Sequence, residues 1–348
     1  MIAPVADRLV IATRRCPLAL WQAEDVRQRL VARFPALRVE LLRVTTGGDG
    51  SSDSPRIGAL EEALLDGRAD IAVHAITDLP AALSNGLEVG VMLARGNPRD
   101  AFVSNRYDSP ADLMQGARIG TCSPRRRTQL LARRPDLDVR PQSGDVGTRL
   151  RQLDDGHYDA IVLAAIDLVR LDLQDRIRAE FPIEDSLPAA GQGIVGIQSR
   201  TGDERVRRHL AVLHDPSAAA RCRAERGLSA RLGDSGRAPI GAYSVIRRGQ
   251  VWLRGLVANL DGSHVLRAQA IASPANARAL GVRVAEDLLA QGAELILGDL
   301  GLVPQIVDAS STPFTEPGAL PADASAAARA AGAIGVARVE AVPERRSA

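Results

Sequence analysis

Short apolar runs alternate with amphipathic stretches through the first half of the chain. Residues 9–13 read as a strand, and residues 18–34 repeat their apolar positions at helical spacing. Strand signals return at 39–45 and 70–74, with a helical segment at 57–65 between them. A second unit begins near 97–100 and continues with strand 118–121, helix 125–134, strand 137–140, helix 146–154 and the fully apolar strand 160–164. Such alternation predicts α/β domains built on mostly parallel sheets. From about residue 216 the pattern changes to a helix at 218–231, strands at 243–246, 251–257 and 264–270, and a helix at 275–291. That order predicts an α+β unit with an antiparallel sheet. Beyond 302 the composition shifts to Ala, Pro and Ser with little periodicity, which predicts a flexible tail with room for one Ala-rich helix at 322–335.

With 348 residues the chain can build two or three domains, each with its own core. It contains no lysine, so all 44 basic residues are arginine. No side chain can form a Schiff base, and cationic recognition falls to guanidinium forks, which suit planar carboxylates and phosphates. These arginines are dispersed among 42 acidic residues with only nine aromatics, a pattern that sets nucleic-acid binding aside. No apolar run approaches a membrane span, and the N-terminus lacks a signal-peptide pattern. Cys16, Cys122 and Cys222 have no CxxC spacing, so neither a disulfide framework nor a metal site is indicated. The expectation is a cytoplasmic monomer without nucleic-acid or membrane partners.

Candidate chemistry gathers in a few phrases. In Gly120-Thr-Cys-Ser-Pro-Arg-Arg126 a strand mouth leads into a helix start. Backbone amides, the hydroxyls of Thr121 and Ser123, and the guanidiniums of Arg125 and Arg126 would make a carboxylate socket there. The same residues also suit a plain helix start, with Ser123 as N-cap and Pro124 in the first turn. Asp78 precedes Leu-Pro after an apolar strand, where it would serve either acid–base chemistry or turn closure. His74, inside that strand, is assigned no chemistry.

Taken with Ile11-Ala-Thr-Arg-Arg-Cys-Pro-Leu-Ala-Leu-Trp21, Gly144-Asp-Val-Gly-Thr-Arg-Leu150 and Ser186-Leu-Pro-Ala-Ala-Gly-Gln-Gly-Ile-Val-Gly196, the chain resembles the porphobilinogen deaminase (hydroxymethylbilane synthase) family over about 300 residues. The resemblance implies two α/β domains like those of periplasmic binding proteins around a cleft, plus a smaller α+β third domain. It implies boundaries at 1–95 with 194–213 for the first domain, 96–193 for the second and 214–302 for the third, leaving 303–348 as the tail. It also implies that Arg14, Cys16, Thr121, Cys122, Ser123, Arg125, Arg126, Arg149, Arg170 and Gln192 bind the acetate and propionate arms of pyrroles. Asp78 would be the catalytic carboxylate.

The departures from that pattern concentrate on the cofactor. Counting back from Pro239, the family's dipyrromethane-carrying cysteine falls on Gly236, which has no nucleophile. The family's Ser-x-Lys-Asp becomes Ala75-Ile-Thr-Asp78, Gly47 stands where an arginine is usual, Ser143 replaces another, and the Lys-rich lid loop is cut to residues 54–59. Each lost carboxylate clamp weakens binding by on the order of 1–3 kcal/mol. The leading expectation is therefore a transferase that deaminates carboxylated aminomethylpyrroles and traps the azafulvene. It would carry no covalent cofactor and would be diverted from tetrapyrrole assembly, any primer being a free dipyrromethane or pyrrole oligomer held non-covalently. Two alternatives stand beside it: a non-catalytic binder of pyrroles or tetrapyrroles, and an ordinary hydroxymethylbilane synthase with its primer displaced to Cys16 or Cys122. Cys222 is read as structural.

Overall fold

A computed structural model describes residues 7–45, 55–80, 83–233 and 238–306. Gly47, Gly236 and the expected tail beyond residue 306, with its Ala-rich helix, lie outside the described residues.

The first domain is laid down by β1 (Arg8–Arg14), α1 (Pro17–Arg33), β2 (Arg38–Val44), α2 (Pro55–Leu65), β3 (Ile71–Ala75) and β4 (Leu87–Met92). The middle of β1, Leu9–Ala12, is apolar at every position because both of its faces are covered. Leu9 and Ile11 pack under α1 with Val26 and Leu30, while Val10 and Ala12 face Leu60 and Leu64 of α2. Each fully buried aliphatic side chain of this kind contributes roughly 1.5–3 kcal/mol. The second domain adds β5 (Asp100–Val103), β6 (Arg118–Gly120), α3 (Pro124–Arg133), β7 (Asp138–Arg140), α4 (Val146–Asp154), β8 (Ala160–Ala164), α5 (Ala165–Arg170) and β9 (Ala179–Glu180). The chain then returns to the first sheet as β10 (Val195–Arg200) and α6 (Glu204–Leu210).

The sheets run in the orders β2-β1-β3-β10-β4 and β7-β6-β8-β5-β9. In each, four of the five strands run in one direction, as the alternating pattern predicts, and a single strand runs against them. β10 is antiparallel to both β3 and β4, and β5 is antiparallel to both β8 and β9. The reason is the double crossing: a strand that arrives from the other domain enters its sheet from the opposite end. The two crossing segments lie side by side, with Leu93 N–H donating to Val195 O at 2.9 Å and Gly96 N–H to Gly193 O at 3.1 Å. Gly193 has φ +90°, and a Cβ there would sit 2.9 Å from Gly96 O, so both conformation and space require glycine.

The third domain packs α7 (Pro216–Arg231) and α8 (Ala277–Ala290) on the antiparallel sheet β11 (Ile240–Arg247), β12 (Gln250–Ala258) and β13 (Val265–Ala272), followed by the short α9 (Ala293–Gly298). Leu228, Leu253, Val284 and Leu288 form its core. Glu225 on α7, fully buried, ties this domain to the crossing. It accepts from Arg95 at 2.6 Å, from Gly191 N–H at 2.7 Å and from Ser244 N–H at 2.7 Å. Among the described residues no helix is long and apolar enough to cross a membrane.

Candidate functional site

A recess of about 220 Å³ opens where the first and second domains face each other. Arg14 reaches it from the end of β1, Cys16 from the N-cap of α1, and Asp78 from a single helical turn (Ile76–Asp78) that follows β3. The opposite wall carries Arg126 of α3, Arg149 of α4 and Asp167 of α5. Strand ends and helix starts converge here because the polar loops of an α/β sheet cluster at its edge, outside the packed core.

The groups differ in how committed they are. Arg14 is ion-paired with Asp78. Burial alone would lower the Arg14 pKa, but Asp78 and Cys16 more than reverse this and raise it. Arg126 gives its Nε to Asp100 at 2.9 Å and Nη1 to Val162 O at 3.2 Å. Arg149 has no carboxylate partner among the described residues. Its Nη2 touches the exposed Cys122 Sγ at 3.2 Å, and its buried Nε has no acceptor. Asp145 caps α4 through the Thr148 N–H at 2.8 Å.

Arg125 lies elsewhere. It is 3% exposed and absent from the recess. Its fork closes on Asp100 at 2.8 and 3.1 Å, and it also donates to Leu187 O at 2.8 Å and Gln192 Oε1 at 3.2 Å. Burial would raise the Asp100 carboxyl, but Arg125 and Arg126 outweigh it and hold the group well below the usual range. Gln192 is buried, donating to Pro98 O at 2.6 Å and Asp100 at 3.0 Å. Arg170 is buried too, bonded to Gly193 O at 3.1 Å beneath the Trp21 ring. Thr121 Oγ1 accepts from Ser123 N–H, and Ser123 caps α3 through the Arg126 N–H. Of the residues expected to hold ligand, the structure thus brings Arg14, Cys16, Asp78, Arg126 and Arg149 together. It builds Arg125, Arg170 and Gln192 into the joint between domains.

Sequence reasoning missed three carboxylates. Asp100 heads the apolar run of β5, and Glu225 sits on an apolar helix face; an acid inside such a run is the available signal for a buried partner. Asp167, in the first turn of α5, lies on the recess wall with no hydrogen bond or ion pair among the described residues. Burial pushes it up to about 6, against the pull of Arg170, Arg126 and Arg149 and with the help of Asp78. His74 is buried and bonded to Gln198 at 3.0 Å; burial lowers it to about 4, so it is neutral at pH 7.

A larger cavity of about 420 Å³ in the second domain is lined chiefly by apolar side chains, among them Phe102, Leu137 and Phe181. Its Arg133 and Arg134 are paired with Asp185 and Asp136, and Arg126, which it shares with the smaller recess, is paired with Asp100; Arg149 lines the smaller recess alone. Among the described residues no group of His, Cys, Asp and Glu gathers to hold a metal ion.

Residues 9–208 match the family model described as porphobilinogen deaminase, dipyromethane cofactor binding domain, and residues 219–290 match the porphobilinogen deaminase C-terminal domain. Among solved structures, the chain is similar to a periplasmic sulfonate-binding protein from Methylobacillus flagellatus KT, part of a putative sulfonate transporter. Identity is 13% over 60% of this chain and 66% of that one, with a TM-score of 0.38. The periplasmic aliphatic sulphonate binding protein of Escherichia coli is similar at 18% identity over 56% and 65%, TM-score 0.35. A nutrient binding protein from Burkholderia cenocepacia bound to methionine gives 14% over 58% and 89%, TM-score 0.38.

Proposed function

The chain belongs to the porphobilinogen deaminase family, and from that membership we propose that it deaminates carboxylated aminomethylpyrroles in the Arg14–Asp78–Arg149 recess without a covalently attached cofactor. Its coarse activity is that of a hydroxymethylbilane synthase-like transferase. The observation that carries the finer reading is the pairing, in one recess, of the Asp78 carboxylate with a guanidinium, Arg149, that has no carboxylate of its own.

Arg149 takes a carboxylate arm of the substrate, with the Arg126 Nη2 as a second donor that has no hydrogen bond among the described residues. Arg126 is fixed before ligand arrives by Asp100, and Arg149 rests against the Cys122 thiol. Asp78 then faces the aminomethyl carbon. As the C–N bond of the protonated aminomethyl group breaks, its electron pair leaves with nitrogen as ammonia, and the ring is left as a cationic methylene-pyrrolenine. A carboxylate fixed in place beside the reacting carbon stabilises that cation without the reorganisation that solvent would need. After a nucleophile adds, Asp78 takes the proton lost from the ring carbon. Arg14 positions Asp78. Arg226 fixes the segment behind it by donating to the Leu79 and Pro80 carbonyls.

The donors of the recess suit the carboxylates of a dipyrromethane, which Arg149 and Arg126 would hold; when bound, such a group would offer a nucleophilic pyrrole carbon. The thioether does not fit, because residue 236 is glycine and supplies no sulfur. The intact mass of protein purified from a porphobilinogen-producing host tests this directly. The bare polypeptide mass is expected, and a two-pyrrole adduct on Cys16 or Cys122 would overturn the non-covalent reading.

A further inference from the structure

The Asp167 carboxylate lies on the recess wall among the guanidiniums that a carboxylated ligand needs, and it uses none of them. Arg126 and Arg149 face it from α3 and α4, Arg170 shares its helix, and Asp78, Arg14 and Cys16 line the first-domain side. Asp145, also on the wall, is occupied in capping α4. An anionic Asp167 would compete with an incoming carboxylate for Arg126 and Arg149, and two carboxylates confined to one recess repel. A neutral Asp167 would become a hydrogen-bond donor to the same arm.

We propose that Asp167 is a ligand-binding residue that takes up a proton as a carboxylated pyrrole enters, and then donates a hydrogen bond from its neutral acid to one carboxylate arm of the ligand. The inference rests on the functional reading above and adds to it a residue and a proton. The only bond made is the O–H of the neutral acid: solvent supplies its proton on binding and recovers it on release, and no bond of the ligand changes. The raised position of Asp167, about 6, leaves about a tenth of it protonated at pH 7. A further rise of about one unit beside the ligand's charge brings that fraction to about half, an uptake of about 0.4 proton per ligand.

Calorimetric titration with an amine-free pyrrole bearing one acetate and one propionate arm, run at pH 7 in two buffers of different ionisation enthalpy, reads that number. The expected result is uptake in the parent and affinity that weakens as pH rises from 6 to 8. In Asp167→Asn, which keeps a donor but has no ionisable proton, uptake is lost, affinity at pH 7.5 is severalfold tighter and the pH profile is flat. Uptake and pH profile unchanged in Asp167→Asn, or binding by the parent without uptake, would overturn the role of Asp167 while leaving the recess assignment intact. Failure of the parent to bind the pyrrole would overturn both. The parent titration needs no variant, so a poorly folded Asp167→Asn does not remove the test.

Discussion

Replacing Arg125 and replacing Arg149 should break different things, although the two residues look alike in the sequence. Arg125→Ala removes both arms of a fork on a buried carboxylate. Losing one partner of such a pair costs about 3–5 kcal/mol. Arg126 still holds Asp100 at 2.9 Å, which points to the low end, about 3 kcal/mol. The Leu187 carbonyl retains Gln129 at 3.1 Å, whereas Gln192 Oε1 loses a charged donor, adding about 1 kcal/mol. The sum of about 4 kcal/mol is a large share of a typical 5–15 kcal/mol stability and corresponds to a midpoint lower by about 10 °C. Arg149→Ala removes only a contact to an exposed thiol and should change stability by less than about 0.5 kcal/mol. In binding the order reverses. Arg149→Ala should weaken a carboxylated pyrrole by about 2 kcal/mol, roughly thirtyfold, with Lys rescuing in part because an ammonium makes no bidentate contact. Thermal unfolding followed by circular dichroism, with calorimetric binding on the same samples, separates the two. An Arg125→Ala protein that melts with the parent yet loses ligand by tens of fold would refute the assignment of Arg125 to the domain joint.

Asp78→Asn preserves shape while removing charge, so pyrrole affinity should change little and ammonia release should fall by at least about two orders of magnitude. Asp167→Asn should stabilise the protein at pH 7 and above, on the order of 1–2 kcal/mol in urea unfolding. Its folded pKa of about 6 exceeds the unfolded value, so the folded state binds more protons between about pH 4 and 6, and the cost of ionising Asp167 is complete above that range; the gain should vanish near pH 4. His74 acts with the opposite sign: lowered to about 4, it contributes stability that is present above about pH 6.5 and is lost as pH falls, by up to about 1.4 kcal/mol per unit. His74→Gln should flatten that acid limb. Gly236→Cys alone should not restore tetrapyrrole synthesis on product analysis, because the clamps missing at Gly47, Thr77 and Ser143 stay missing.

The elements that bury a face announced themselves in the sequence. α4 and β8 fall at 146–154 and 160–164 as the periodicity requires, since their apolar spacing is set by what they pack against. β4, β5 and β10 did not announce themselves. β5 and β10 are short and buried on both faces, which removes the alternation that marks a strand, and antiparallel entry through the crossings leaves no local signature. The site was legible in the same uneven way. Arg14, Asp78, Arg126 and Arg149 were visible as motif residues, but a motif does not say whether a guanidinium meets solvent or a buried partner. Arg125 met Asp100, an acid 25 positions earlier that only the tertiary fold brings near. Asp167 escaped notice because nothing local distinguishes it from an ordinary acid in the first turn of a helix.

In the proposed function, the Arg14–Asp78–Arg149 recess deaminates an aminomethylpyrrole without a primer bonded to the protein. Ammonia release from porphobilinogen, measured on protein whose denatured mass is that of the polypeptide alone, tests it most directly. Steady release is expected with a pyrrole or other nucleophile as acceptor, abolished in Asp78→Asn. Binding of porphobilinogen with no ammonia released under any acceptor would contradict it and leave the recess as a binding site.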